Sequence, residues 1–317
     1  MKMKIKFFYT NQLFETDWIS YTNSFNQVFT RNFSIINFKE KYTNTCYGYS
    51  FHGFILDEDN NIVGGCSAMP YKYNYFGSER VFVLFVDAFV QNEYRKNEFA
   101  LFDAYSIVKE ELKRREIPMI ISVPNDIAYL FWKKLARWKD IGILPWYVMP
   151  IKLGNLMKKN KIFNISYIFV WLWALTNLIF SFFLKRKAPS SISLSVSKNF
   201  KEKRLRNYSS IKDTPFHYSI VSEDGIKALY LLNDDCFNAR QLSRAVWHII
   251  NKESKNIDIV IYVGNINILQ LSLIKFPMEK LPRKFLFCGG IIDKKVLDDR
   301  VFDYSYWDFS LINFDVR

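Results

Sequence analysis

One carboxylate, Asp87, stands inside the apolar run Val81-Phe-Val-Leu-Phe-Val-Asp-Ala-Phe-Val90, and a polar, basic segment, Tyr94-Arg-Lys-Asn-Glu-Phe-Ala100, follows it. A carboxylate in such a strand could serve as a general base, because burial disfavours its charged form. It could equally cap a bulge or pair with a lysine. The segment after it reads as a loop entering a helix whose first turn holds Arg95 to Ala100. A helix start after a strand offers unpaired backbone N–H groups and the positive end of a dipole to an anion. That points to a phosphate-bearing cofactor. Asn125, after Pro124, could fix that cofactor or a water, or simply cap the helix it precedes. His52 lies in a strand pattern and reads as a packed core histidine, while Glu93 and Asp126 read as solvated. No serine lies in a nucleophile-elbow sequence, which removes support for a hydrolase.

These residues need a frame. Lys4 to Tyr9 reads as a first strand and Glu15 to Phe29 as a helix. Tyr49 to Leu56 and Ile62 to Phe76 read as strands joined by the turn Asp57-Glu-Asp-Asn-Asn61. Phe76-Gly-Ser-Glu79 turns into the strand that carries Asp87. Beyond the loop, Leu101, Tyr105, Val108 and Leu112 form one apolar stripe at helical spacing, which Pro118 ends. Met119 to Val123 suits a buried parallel strand and Asn125 to Lys134 a second helix. The expectation is a mixed α/β (α+β) sheet that splits open beside the cofactor loop.

The chain of 317 residues is half hydrophobic, enough for two domains with real cores. Cys46, Cys66, Cys236 and Cys288 show no metal or redox spacing and read as reduced thiols in a cytoplasmic protein with no signal segment. His52, His217 and His248 are too few and scattered for a metal site, so no metal is expected. Nearly all of the net charge of +13 falls in residues 151–212, which hold thirteen Lys or Arg against one acid, Glu202. A nucleic-acid binder usually spreads its basic residues over a recognisable folded face, so no nucleic-acid partner is expected.

Within that basic window, Ile162 to Leu184 runs 23 residues without a charge. About 20 apolar residues are enough to span a bilayer. Lysine and arginine flank both ends, however, and the positive-inside rule would place both flanks on the same side. A segment lying in the interface or dipping in as a hairpin fits better, with Tyr167, Trp171 and Trp173 as interfacial groups. The other reading is a buried helix joining two domains. Membrane contact through 158–187 therefore implies a cytoplasmic protein peripheral at the inner face of the membrane.

Residues 1–150 resemble the GNAT acyltransferase superfamily. The signature is a strand, a Tyr-Arg pair and a pyrophosphate loop of pattern R-x-x-G-x-G/A before a helix, standing here as Tyr94-Arg95-Lys96-Asn97-Glu98-Phe99-Ala100. Phe38-Lys-Glu-Lys-Tyr42, Val63-Gly-Gly-Cys-Ser-Ala-Met-Pro70, Trp132-Lys-Lys-Leu135 and Trp138-Lys-Asp-Ile-Gly142 are similar to GNAT-like proteins of bacterial polysaccharide and cell-envelope gene clusters. Asp258 to Gly264, Lys275-Phe-Pro277 and the ending from Trp307 extend that resemblance to most of the chain. It implies a GNAT-like domain at 1–150, a basic connector at 151–212 with its apolar segment 162–184, and a second, degenerate GNAT-like domain at 213–317.

The resemblance also implies an acetyl-CoA- or acyl-CoA-dependent transfer. Asp87, Ala88, Phe89 and Val90 would hold the pantetheine arm by backbone pairing, Lys96, Asn97, Glu98, Phe99 and Ala100 the pyrophosphate, and Arg95 would add a favourable charge. Two departures bear on chemistry. Glu98 replaces the central loop glycine and sets a negative charge beside the phosphates. The tyrosine that protonates the leaving thiolate maps to Trp132, whose indole cannot do so, and Tyr129 is the substitute on the same helix face. Two functions follow: an N-acyltransferase acting on an amino sugar, lipid- or nucleotide-linked, in surface polysaccharide synthesis, or a catalytically inactive GNAT-fold scaffold at the membrane surface.

Overall fold

A computed structural model describes residues 3–97, 99–157, 166–184, 191–195 and 197–314. In chain order the strands are β1 (Lys4–Tyr9), β2 (Phe51–Leu56), β3 (Ile62–Tyr75), β4 (Ser78–Val90), β5 (Met119–Ser122), β6 (Lys139–Ile143), β7 (Trp146–Pro150), β8 (Ile192–Leu194), β9 (Ser209–Ser210), β10 (Phe216–Glu223), β11 (Ile226–Asn233), β12 (Ile259–Val263), β13 (Ile274–Lys275), β14 (Leu286–Ile291) and β15 (Trp307–Asp308). The helices are α1 (Glu15–Phe29), α2 (Ile35–Thr43), α3 (Ala100–Arg114), α4 (Asp126–Phe131), α5 (Leu153–Leu156), α6 (Ser166–Phe180), α7 (Lys198–Leu205) and α8 (Ala239–Glu253). The chain forms two compact units, Met1–Gly142 with Phe285–Tyr304, and Ile143–Lys284 with Ser305–Arg317. The fold is mixed α/β, and all four cysteines are free.

In the first unit the strand order is β1-β2-β3-β4-β5-β14-β6. The long β3–β4 hairpin closes on Phe76-Gly77, both at positive φ, which is the two-residue turn that matches strand twist. β4 then crosses through α3 to the parallel strand β5. α3 buries Ala100, Ala104, Tyr105, Val108 and Leu112 against the sheet. Gly53 lets it in: a Cβ there would stand 2.2 Å from the Ala104 carbonyl oxygen. The opposite sheet face carries α1 and α2, joined to it by an aromatic layer of Trp18, Tyr21, Phe25, Phe38 and Tyr42. Ser34 caps α2 by accepting the Asn37 N–H.

In the second unit the order is β13-β7-β12-β11-β10-β9. Here too a hairpin, β10–β11, closes on a two-residue turn at positive φ, Asp224-Gly225. β11 crosses through α8 to the parallel strand β12, and α8 buries Leu242, Ala245, Val246, Ile249 and Ile250. β8 and β15 form a short parallel pair.

Two sequence expectations are corrected, and one helix is added. Arg95 is not in the first turn of α3, which starts at Ala100. Residues 92–94 coil as a 3-10 turn instead, and the Arg95 side chain donates from Nε to the Val90 carbonyl at 2.9 Å, tying the loop back to its strand. The helix after Asn125 changes at Trp132 to a π turn running to Ala136. α2 was not anticipated from the pattern at all, because its nine residues alternate apolar and polar too irregularly to mark one stripe.

Candidate active site

β4 is where the two layers and the split in the sheet meet. Its ladder with β5 runs only from Phe82 to Leu84, opposite Met119 to Ile121. Past that point β4 continues to Val90 paired with β3 alone, so its other edge leaves backbone groups unpaired. The Ser122 hydroxyl donates to the Phe85 carbonyl at 2.8 Å, where the strands part.

The same stretch is bulged. Asp87 and Ala88 together oppose Cys66, between the pairs Val86–Ser67 and Phe89–Gly65. Asp87 takes φ 53°, left-handed backbone that an aspartate tolerates better than most residues but at a cost of the order of 1 kcal/mol. The bulge breaks the period-two alternation. Phe85 packs with Tyr105 and Trp132 on the α3 side, whereas Phe89 packs with Tyr21 and Phe25 on the α1 side. Asp87 follows Phe89: its Oδ2 accepts a hydrogen bond from the Tyr42 hydroxyl and pairs with the Lys41 ammonium, both at 2.5 Å. The carboxylate side chain is 12% exposed and the lysine 33%, so the pair opens toward solvent on the lysine side.

Behind it lies a buried polar cluster. Tyr42 and Tyr21 share a hydroxyl–hydroxyl hydrogen bond, and burial, followed by the Asp87 charge, pushes both phenols well above their usual pKa. His52 bridges Ser67 through Nδ1 at 2.8 Å and Thr10 through Nε2 at 2.9 Å. Burial pushes its pKa down to about 3, so it is neutral at ordinary pH. The imidazole is a packed core group in contact with the Tyr42 ring. Lys41 and Tyr42 are the partners that sequence reasoning did not single out. Their only signal was their place in the Phe38–Tyr42 motif.

The other candidates divide into two sets. Ala88 and Val90 pack on the α3 side of the sheet, as does Tyr129. The Tyr129 hydroxyl donates to Asp140 at 2.7 Å and accepts from the Lys133 ammonium at 2.8 Å. The lysine contact lowers its pKa, but burial and the Asp140 carboxylate outweigh it and the phenol lies above its usual value. Trp132 is sealed in the core, stacked on Trp138 at 5.2 Å and against Tyr105 of α3 at the same distance. Asn125 caps α4, its side-chain oxygen accepting the Ala128 N–H at 2.9 Å. Arg95, Lys96, Asn97 and Phe99 are exposed, and Ala100 is buried at the start of α3. Phe99, at the N-cap position, makes no side-chain cap bond of its own; the Asn97 side-chain oxygen accepts the Phe99 N–H at 3.2 Å, and the first-turn acid is Asp103. Glu98 lies outside the described residues. Among the described residues no cluster of His, Cys, Asp or Glu is placed to hold a metal.

Solved structures resemble this chain over most of its length. A conserved protein of Enterococcus faecalis V583, described as a probable N-acyltransferase, matches with a TM-score of 0.55 at 10% identity, over 92% of this chain and 73% of its own. A GCN5-related N-acetyltransferase of Anabaena variabilis ATCC 29413 matches at 0.55 and 13% identity, over 91% and 73% of the two chains. Another from Kribbella flavida matches at 0.55 and 12%, over 92% and 72%. The fold is that of the GCN5-related N-acetyltransferases. No protein-family model matches the sequence, and no curated protein does. In this acetyltransferase fold the split beside β4 and the start of α3 are the features able to receive an extended chain ending in phosphates. The free β4 edge supplies donors and acceptors, and the helix start supplies amides.

Proposed function

We propose that the chain is an acyl-CoA-dependent N-acyltransferase. The observation that supports this reading is the bulge at Asp87, which falls in the stretch of β4 that β5 leaves unpaired, in the strand that leads toward the start of α3. The residues fit an acyl-CoA. Backbone of Ala88, Phe89 and Val90 would pair with the pantetheine amides. Lys96, Asn97, Phe99 and Ala100 would meet the pyrophosphate, with Arg95 held nearby by its bond to Val90. Glu98 would oppose that charge.

Acyl transfer to an amine needs the ammonium to lose a proton, the thioester carbonyl to be polarised and the departing thiolate to gain a proton. Asp87 would take the first proton. Lys41 and Tyr42 hold it in place. An N–H on the free edge of β4 would polarise the carbonyl. Tyr129, with its phenol kept protonated, would supply the last proton. As acceptor we propose the amine of an amino sugar, lipid- or nucleotide-linked, in surface polysaccharide synthesis, in keeping with the cell-envelope proteins that the motifs resemble. The shared order of hairpin, crossover helix and parallel strand supports reading the second unit as a degenerate copy of the first.

A second reading is a catalytically inactive scaffold of the same fold. Trp132, buried where a proton donor is expected, and Tyr129, already bonded to Lys133 and Asp140, favour it. Calorimetric titration with acetyl-CoA separates the two. Binding that Glu98→Gly tightens, with turnover on an amino sugar, supports the enzyme, and no binding at millimolar acetyl-CoA overturns it.

A further inference from the structure

α6 is built inside out. Along α6 and the turn after it, the buried positions are small or polar, Ala174, Asn177 and Ser181, and Ala174 joins the core of the second unit, while Trp171 reaches Trp247 and Asn251 of α8. Other large side chains are exposed, among them Leu172, Trp173 and Phe180 of α6 and Phe182 just past it, with Phe169 71% and Phe183 80% exposed. An ordinary surface helix does the reverse. Contiguous apolar surface on this scale marks a place that something apolar covers.

What covers it is indicated by the helix next door. α8 carries Arg240, Arg244, His248 and Lys252 at four-residue spacing, so they form one row along its outer side. The Arg240 guanidinium lies 4.2 Å from the centre of the Phe182 ring, and the Trp171 and Trp247 rings meet at 5.2 Å. Cations and exposed rings thus border each other along the two helices. Lys212, Arg244, His248 and Lys252 also line one open groove of about 560 Å³, together with Trp247, Asn251 and a single acid, Asp213. None of the three cations Lys212, Arg244 and Lys252 is in an ion pair among the described residues.

We propose that the outer side of α6 and the cation row of α8 together dock on an anionic lipid bilayer surface. Among the described residues no helix is long and apolar enough to cross a membrane. The 15 residues of α6 reach about 22 Å, short of the roughly 30 Å hydrocarbon core. The helix lies flat in the interface: apolar rings enter the acyl boundary, and the cations of α8 meet lipid phosphates. The sequence agrees, since no acid falls between Ile162 and Leu184 and cations flank both ends, as a surface-parallel helix requires. A protein partner would need no such excess of unpaired positive charge beside the apolar strip. This inference does not depend on whether the cleft in the first unit turns over.

Sedimentation of the intact protein with vesicles tests it, with indole fluorescence as a second readout. Binding to phosphatidylglycerol–phosphatidylcholine vesicles should exceed binding to phosphatidylcholine alone by roughly tenfold or more, and should fall in high salt. Phe169→Glu with Phe183→Glu, and separately Arg244→Glu with Lys252→Glu, should each lower it by roughly tenfold. Because all four side chains are exposed, the circular dichroism and unfolding midpoint should stay unchanged. Equal binding to neutral vesicles, or no pelleting at all, overturns the proposal. So does a lipid-free dimer, seen by sedimentation velocity, that the phenylalanine substitutions dissolve.

Discussion

The β4–α3–β5 segment of the first unit and the β11–α8–β12 segment of the second are the same device built twice. Each begins with a hairpin closed by a two-residue turn at positive φ, crosses through a 15-residue helix and returns as a parallel strand. They differ where a ligand would enter. β4 is bulged at Asp87, and past Leu84 it no longer pairs with β5, although the Ser122 hydroxyl and the Arg95 side chain hold the Phe85 and Val90 carbonyls. β11 runs in unbroken register from Ile226 to Asn233, two residues past its last pair with β12. Among the described residues, α3 has no capping box, only the Asn97 side-chain oxygen accepting the Phe99 N–H. The start of α8 is filled by its own residues: Asn238 accepts from the Gln241 N–H, and the Gln241 side chain accepts from the Asn238 N–H. One frame therefore gives a receptive end or a closed one, depending on a single extra residue in a strand and the presence of a capping box.

That contrast can be broken in several ways. Asp87→Asn should cut kcat/KM by roughly 10²–10⁴-fold while leaving acetyl-CoA affinity almost unchanged, as measured by steady-state kinetics and calorimetry. A comparable loss in affinity would mean that the bulge holds the co-substrate rather than the proton. Trp132→Ala should cost about 3–5 kcal/mol in urea unfolding, because the ring fills the α3-side core. A near-neutral result would mean that the tryptophan lines an open cleft.

The two units should also respond to pH with opposite sign. His52 in the first unit has a folded pKa of about 3, below its ordinary 6.5, so its neutral form is bound up in the fold. Stability should fall by about 1.4 kcal/mol for each pH unit below 6.5, down toward 3. Asp308 in the second unit is raised to about 6 by burial and then by the Asp235 charge. Its contribution is complete below the ordinary carboxylate value of 3.8 and is lost as pH rises to about 6. Thermal unfolding of His52→Gln and Asp308→Asn should each remove one of these slopes and leave the other.

Smaller effects concern the helix starts. Asn238→Ala should destabilise the protein by about 1 kcal/mol, since α8 loses its cap. Phe99→Asp should do the reverse at α3, adding a cap and weakening acetyl-CoA binding several-fold by occupying the same amides with a negative charge. If Phe99→Asp binds acetyl-CoA as well as the parent, the start of α3 is not where the phosphates sit.

Much of the first unit was legible in the sequence because its signals are local. The apolar stripe of Leu101, Tyr105, Val108 and Leu112 fixed a helix, and Phe76-Gly77 fixed a hairpin. Asp87 drew attention as a charge in an apolar run. Its αL backbone and its turn to the α1–α2 side were not readable, since a bulge is set by the partner strand. Lys41 and Tyr42 lay unnoticed because their role depends on a residue 45 or 46 positions away. The segment at 162–184 announced its apolarity plainly, but length and composition could not say that its large residues would face outward from α6. Nor does any pattern near Phe285 reveal that β14 belongs beside β5.

That last pairing has a consequence for how the protein is made. β5 leaves the ribosome early, yet its antiparallel partner β14 is encoded about half the chain later, with Ser122 opposite Cys288. Until Leu286–Ile291 are synthesised, the first unit waits with the Ile120–Ser122 edge unfilled, and loop closure over that separation is slow. A nascent chain paused anywhere before Phe285 therefore exposes a sticky strand edge. A fragment ending before β14 should leave that edge unpaired, which faster amide exchange along Ile120–Ser122 than in the whole chain would show.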